Sequence, residues 1–443
     1  MKVRSKFALI LMIFLVLSGS LSGCASDIVG NPDAPFVYFL NFKPEAAKAW
    51  EKLGSAYHLE TGVAVRVVTA AAGTYEQRLA ASFKEENPPT LFQVNGRRGY
   101  EKWQDYCLDL QDTDLHGWLI DQDTAISGAD GGVYAIPYVL EGYGIIYNQE
   151  ITDAYFALEG AVVSSMEAVT DFETLKGLVE DMSSKAKSLG IDGVFASTSF
   201  APGEDWRWQT HLFNLPLYYE YQAAGVSELK AITFQYNQNY KNIFDLYIAH
   251  SPTDPLDLGN KTVMDSVEEF AKGQVAMFQD GNWAWSQLVA LGGGRLEAEQ
   301  IKMLPIYTGV TGEKSKGICI GTENYFCINA QVSKANQEAT LDFLEWVFHS
   351  ESGKKIVSED LGFISPFSTF TEKDHPSDPL TGQVIDYLND ETLTPVPWVF
   401  STMPSQAYKN ELGANLLSYA QGQLPWEAVV EKAIDLWSSE YQN

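Results

Sequence analysis

Residues 271–289 read AKGQVAMFQDGNWAWSQLV. A helix end at Lys272-Gly273 is followed by a strand around Ala276-Met277, and Asp280-Gly281-Asn282 has the composition of a turn. Trp283 and Trp285 then stand two positions apart, at the start of a helix expected over 281–291. Two indoles beside a turn are either core or a platform for something flat. The chemistry of the rest of the chain decides between these readings.

The N-terminus bears on location. Lys2, Arg4 and Lys6 precede an unbroken apolar run from Phe7 to Leu17. A membrane-spanning helix needs about 20 apolar residues, so this shorter run fits a secretory signal instead. It ends in SGSLSGCAS, with Cys24 behind Ser22-Gly23. LSGC resembles the lipobox of bacterial lipoproteins, which implies cleavage after residue 23 and acylation of the Cys24 thiol. The expected organisation is a signal peptide over 1–23 and a tether over 24–32, leaving the chain anchored to the membrane and not spanning it.

Removal of residues 1–23 leaves 27 basic against 58 acidic side chains. A nucleic-acid partner is excluded, since binding it requires a cationic footprint that displaces counterions. An aromatic fraction of 13% argues for a packed core, and the length argues for two lobes. Cys107, Cys319 and Cys327 remain, with no C-x-x-C pair. They read either as small buried hydrophobes or, for Cys319 and Cys327, as a pair across a bend. No metal-binding spacing occurs among the His, Asp and Glu residues, and neither a metal nor a cofactor is expected.

From residue 36 the pattern alternates. FVYFLNF (36–42) is a strand, Pro44 opens a helix carrying Trp50, Leu53 and Tyr57, and Gly62 stops it. VAVRVV (63–68) is a second strand. A helix follows, with Thr74 and Gln77 placed for a capping box, and PTLFQV (89–94) is a third strand. Strand, helix, strand, helix, strand predicts a parallel sheet whose ligand side lies beyond the strands' carboxyl ends, near Asn41-Phe42, Tyr75 and Asn95 to Arg98. VYAIPYVLEGYGIIYNQEI (133–151) gives two apolar segments broken at Glu141-Gly142, the mark of a crossover between lobes.

The order of these segments resembles the extracellular solute-binding proteins of carbohydrate ABC transporters, the group that contains maltose-binding protein. VLEGYGIIYN is similar to that family's first crossover. FAKGQVAMFQDGNWAWSQL is similar to its most recognisable stretch. GTENYFCINA with the helices after it follows its third-quarter pattern. The resemblance implies an α/β two-lobe clamp with mostly parallel sheets and three crossovers. One lobe would comprise 33–140 plus 316–358 and the other 144–310 plus 366–443, with a hinge near 141–143, 308–316 and 359–366. It further implies a monomeric, non-enzymatic receptor at the extracellular face that hands a carbohydrate, an oligosaccharide, to the permease subunits of an importer.

A sugar ring offers an apolar C–H face and a rim of hydroxyls, so an indole covers the face while carboxylates, amides and arginines take the rim. By the match, Trp283 is the platform and Trp285 is core. Glu141 and Asp280 are carried over as ligand carboxylates, and either Trp206 or Trp208 of GEDWRWQTHLF is expected in the cleft. Trp398, just after Pro395 and Pro397, which forbid a helix around it, reads as an indole at the tip of an exposed loop. Asn95, Arg97, Tyr75 and Glu323 complete the candidates. The rivals are an acidic sugar or a peptide as ligand, or a lipid-anchored glycoside hydrolase using two carboxylates. No G-x-S-x-G elbow or P-loop supports an enzyme, and repeats or Ser/Thr-Pro stalks, as in an adhesive protein, are absent. If Cys24 carries the anchor, Cys24→Ala should move the protein from the membrane fraction to the soluble fraction; retention on the membrane would refute the lipobox reading.

Overall fold

Five buried residues in a row make Phe36–Asn41 (β1) an interior strand. Pro44 sits in the first turn of a short 3-10 segment, where its missing N–H has no partner to lose, and the chain runs on into helix α1, Ala47–Thr61. Trp50, Leu53 and Tyr57 form its buried face, and Gly62 ends it with φ of 80°. Ala64–Thr69 (β2) and Leu91–Asn95 (β3) then flank β1, both parallel to it. Between them lies α2, Tyr75–Ser82, and after β3 comes α3, Gly96–Trp103. The expected Thr74 capping box does not form, because the Thr74 hydroxyl donates to the Ala71 carbonyl instead.

The computed structural model describes residues 34–71 and 73–441. The leader, Cys24 and the whole of the tether lie outside them. From Pro35 onward the chain forms one compact unit built on two sheets. Ile126–Ser127 (β4), Val133–Pro137 (β5) and Asn324–Ile328 (β11) complete the first, ordered β2-β1-β3-β11-β5-β4. The second contains Glu141–Asn148 (β6), Gly193–Phe195 (β7), Val275–Gly281 (β8), Ile301–Leu304 (β9), Lys316–Gly321 (β10) and Thr394–Pro397 (β12). Its order is β12-β10-β6-β8-β7, with β9 also paired to β6. Helices cover both sheets, and no described helix is long and apolar enough to cross a membrane.

Three expectations need correction. The sheets are mixed, not mostly parallel: in the first, β11 is antiparallel to both β3 and β5 and β4 is antiparallel to β5, and in the second β6 is antiparallel to β8, β9 and β10. Parallel pairing is kept among β1, β2 and β3, between β7 and β8 and between β10 and β12, whereas strands that return from the other lobe are free to reverse. Second, β10 belongs to the second sheet and β11 to the first, so the chain crosses at Thr322-Glu323 and not over 308–316. Third, residues beyond 366 are still bonded to the first lobe, through Ser368 to Trp118 and Thr369 to Phe348, and Lys354 pairs with Asp374. The helix Pro379–Asn389 then packs on the second sheet, so that crossing falls after Asp374 and not over 359–366. Cys107, Cys319 and Cys327 are free and buried, the last two in different sheets.

β6 is the spine of the second sheet, paired to β8, β9 and β10. Gly144 lies where a Cβ would run into the Leu304 carbonyl oxygen. Gly144→Ala is expected to prise β9 from β6 at about 1–3 kcal/mol of stability. Gly177→Ala, in open space on the helix Phe172–Ser184, should be neutral or slightly stabilising. Thermal melts of the two variants check this, and equal melting temperatures would refute the packing role of Gly144.

Candidate functional site

Each residue of Asp280-Gly281-Asn282-Trp283 has a separate task at the carboxyl end of β8. Asp280 is 1% exposed; its carboxylate accepts from the Gly281 N–H and lies 3.6 Å from Arg207. Burial pushes its pKa up to about 6, against the opposing pull of Arg207. Gly281 has no Cβ because the Trp283 indole folds back over it. Asn282 accepts from the Gly142 N–H at 3.1 Å and donates to Thr381 at 3.1 Å, tying the turn to the first crossover. Trp283 is thus held from beneath and from the side while remaining half-buried.

Around it stands a cluster of rings. The chain over Arg207–Leu212 is π-helical, a wide turn often found at functional sites, and it brings His211 into the centre. The His211 ring lies 4.4 Å from Tyr143, nearly parallel, and 5.0 to 5.8 Å from Trp206, Phe400, Trp283 and Trp398. Burial first, then Lys409, Lys43 and Arg207, holds its pKa well below the usual histidine range, so the ring is neutral. Trp398 rests over Gly321 as Trp283 does over Gly281, since a Cβ on Gly321 would meet its Cγ at 2.6 Å. The cluster sits beyond the carboxyl ends of β8, β10 and β12 and the start of β6.

The first sheet faces this cluster with its own strand ends. Lys43, just past β1, is 7% exposed, pairs with Glu141 at 2.6 Å and lies 3.7 Å from Glu45. Its ammonium is 5.7 Å from the Trp283 ring, a cation–π contact from one lobe to the other. Burial lowers its pKa, but Glu141 and Glu45 together outweigh that and raise it. Asn324, first residue of β11, donates to the other Glu141 oxygen at 2.7 Å. Glu323, at the second crossover, meets Lys409 of the helix Gln406–Ala420 at 3.6 Å.

The candidates from sequence therefore separate. Trp283, Trp206 and Trp398 converge on one cluster. Trp398 is a correction in one respect: it is 9% exposed against Gly321, not the tip of an exposed loop, because Thr394–Pro397 pairs as an edge strand with β10. Trp208 is core and not cleft, with its indole N–H bonded to the Ser199 carbonyl at 3.0 Å. Trp285, expected in the core, is only half-buried, like Trp283, and packs at the edge of the cluster that contains Val267, Phe270 and Leu288. Glu141 has both oxygens committed to Lys43 and Asn324, and Asp280 lies beneath the platform. The Tyr75 hydroxyl is bonded to the Gln93 backbone, so it braces β3. Arg97 reaches back to the Ser127 carbonyl at 3.2 Å, and Asn95 stands exposed at the end of β3. Lys43, His211, Phe400 and Lys409 were missed. Only Lys43 carried a signal in the sequence, as the one cation just past the first strand end.

This architecture has counterparts. Residues 46–380 match the family model described as bacterial extracellular solute-binding protein, and the chain belongs to that family. Its fold is that of a chitin oligosaccharide binding protein (TM-score 0.70, 18% identity, 93% of this chain and 100% of that one). It is also that of the solute-binding protein RafE in complex with raffinose (TM-score 0.68, 16% identity, 92% and 99%). The bacterial solute receptor AcbH, described as preferring galactopyranose exclusively, aligns with a TM-score of 0.69 at 14% identity over 92% and 99%. No curated protein matches by sequence.

The two indoles of Trp206 and Trp208 should behave differently. Trp208→Ala empties a core site and is expected to lower stability by about 3–5 kcal/mol. Trp206→Ala, on the half-buried side, should lower it by clearly less. Denaturant melts of both distinguish them, and a Trp206 variant that unfolds first would reverse the assignment.

Proposed function

We propose that this protein is a lipid-anchored, monomeric receptor that captures a neutral saccharide between its lobes and delivers it to the permease subunits of an ABC importer. The observation that carries the reading is the cluster of Trp206, Trp283 and Trp398 around neutral His211, facing Lys43 across the cleft. Indoles at several tilts can cover successive C–H faces of a sugar, while Glu45, Glu323, Asn95 and Lys43 stand on the opposite wall as hydroxyl partners. The bound sugars named for the structural counterparts support the same class.

The cations of the site argue for a neutral ligand over an acidic one. Lys43 is shared by Glu141 and Glu45, Lys409 pairs with Glu323, Arg98 pairs with Glu228, and Arg97 is turned to a backbone carbonyl. An acidic sugar would have to displace one of these carboxylates, or draw Arg97 away from the Ser127 carbonyl. Hydrolysis lacks support as well: Glu141 is locked in its ion pair and Asp280 is covered by the platform.

Calorimetric titration with neutral saccharides, uronic acids and short peptides tests the proposal. A neutral saccharide should bind, and at about 100 times its dissociation constant should add about 2.7 kcal/mol to stability. It should release no reducing ends. Trp283→Ala should weaken it by roughly 5- to 150-fold, the equivalent of about 1–3 kcal/mol. Preference for a uronic acid or a peptide, or turnover of the sugar, would overturn the reading.

A further inference from the structure

The cleft is closed on both flanks of Lys43, and this bears on how long a ligand it takes. In the first sheet β1, which carries Lys43 past its end, lies between β2 and β3. Beyond β2, Gly73 touches Gly203 of the other lobe: a Cβ on either would come within 3.2 Å of the other's Cα. Both glycines hold positive φ, 70° and 81°, so the two backbones meet with no side chain between them. Beyond β3, Gly96, at φ of 61°, abuts Ser401, whose Cβ would stand 2.8 Å from a Cβ placed on the glycine.

Next to Gly96 the second flank is reinforced. Arg98 donates to Glu228 at 2.9 Å, and its guanidinium lies 4.7 Å from the Tyr441 ring. The Tyr441 hydroxyl meets the Thr402 carbonyl at 2.6 Å and Glu228 at 2.9 Å. These flanks also bracket the indoles, for Gly203 precedes Trp206 by three residues and Ser401 follows Trp398 by three. Adjacent strands are spaced by about 4.8 Å, so the ends of β2 and β3 stand roughly 10 Å apart, the span of about two sugar rings.

We infer that the Gly73–Gly203 and Gly96–Ser401 contacts, with Arg98, Glu228 and Tyr441, set ligand length: the cleft encloses a saccharide of one or two rings and selects against longer chains. This rests on the saccharide reading above. A longer chain lying across the cleft has to break one flank. The Gly73–Gly203 contact is backbone against backbone, so on that flank no side chain can rotate aside to admit it.

The test is calorimetric titration of the full chain with gluco-, galacto-, xylo- and chito-oligosaccharide series of one to six rings. Within the series that binds, the tightest member should have one or two rings, and affinity should fall at least tenfold by four. Affinity that is flat or rises to six rings overturns the length inference and leaves the saccharide reading intact. Binding of no saccharide in any series overturns the saccharide reading, and the length inference falls with it. The double variant Arg98→Ala/Ser401→Gly, checked by melting temperature, should narrow the ratio of two-ring to six-ring affinity at least fivefold. An unchanged ratio in a folded variant overturns the role of these contacts.

Discussion

The site depends on a buried ion pair. Lys43 comes from the end of β1, Glu141 opens β6 in the other sheet, and Asn324 opens β11 where the chain has just crossed back. Two charges removed from water are tolerable only when each is fully partnered, and here every Glu141 oxygen has its donor. Shifting one lobe against the other would strip Glu141 of both its donors, while Lys43 would keep only Glu45. The pair therefore ties β1, the first crossover and the second crossover to one point, and Lys43 carries that constraint across to the Trp283 ring.

On the other side, aromatic position is set by glycine. Trp283 over Gly281 and Trp398 over Gly321 are held close to strand backbones that no other residue would allow. His211, kept neutral, fills the space between them without adding charge to a region that already holds two lysines. The result is a mostly apolar wall facing a polar one, which matches the two-sided chemistry of a sugar ring.

The sequence made the N-terminal βαβαβ unit legible because local periodicity and Pro44 and Gly62 punctuate it. Asp280 to Trp283 was legible because turn chemistry and an indole coincide there. The split between β10 and β11 was not, since both are short apolar runs and only pairing partners tell their sheets apart. Trp206 and Trp208 looked alike as neighbours in one motif, and the π-helical turn that sends one indole into the core has no evident signature. Pro395 and Pro397 suggested a loop, but prolines are also tolerated on an edge strand, where their missing N–H faces no partner. Lys409 and Phe400 lie so far along the chain from Lys43 that only the folded structure brings them to the same cleft.

The last helix, Trp426–Tyr441, ends with its final ring stacked on an arginine of the opposite lobe. Tyr441 therefore lies on the seam between the halves. A fluorophore attached there would report on any change in that contact, whereas a bulky purification tag or surface tether at the same place would press against the opposite lobe.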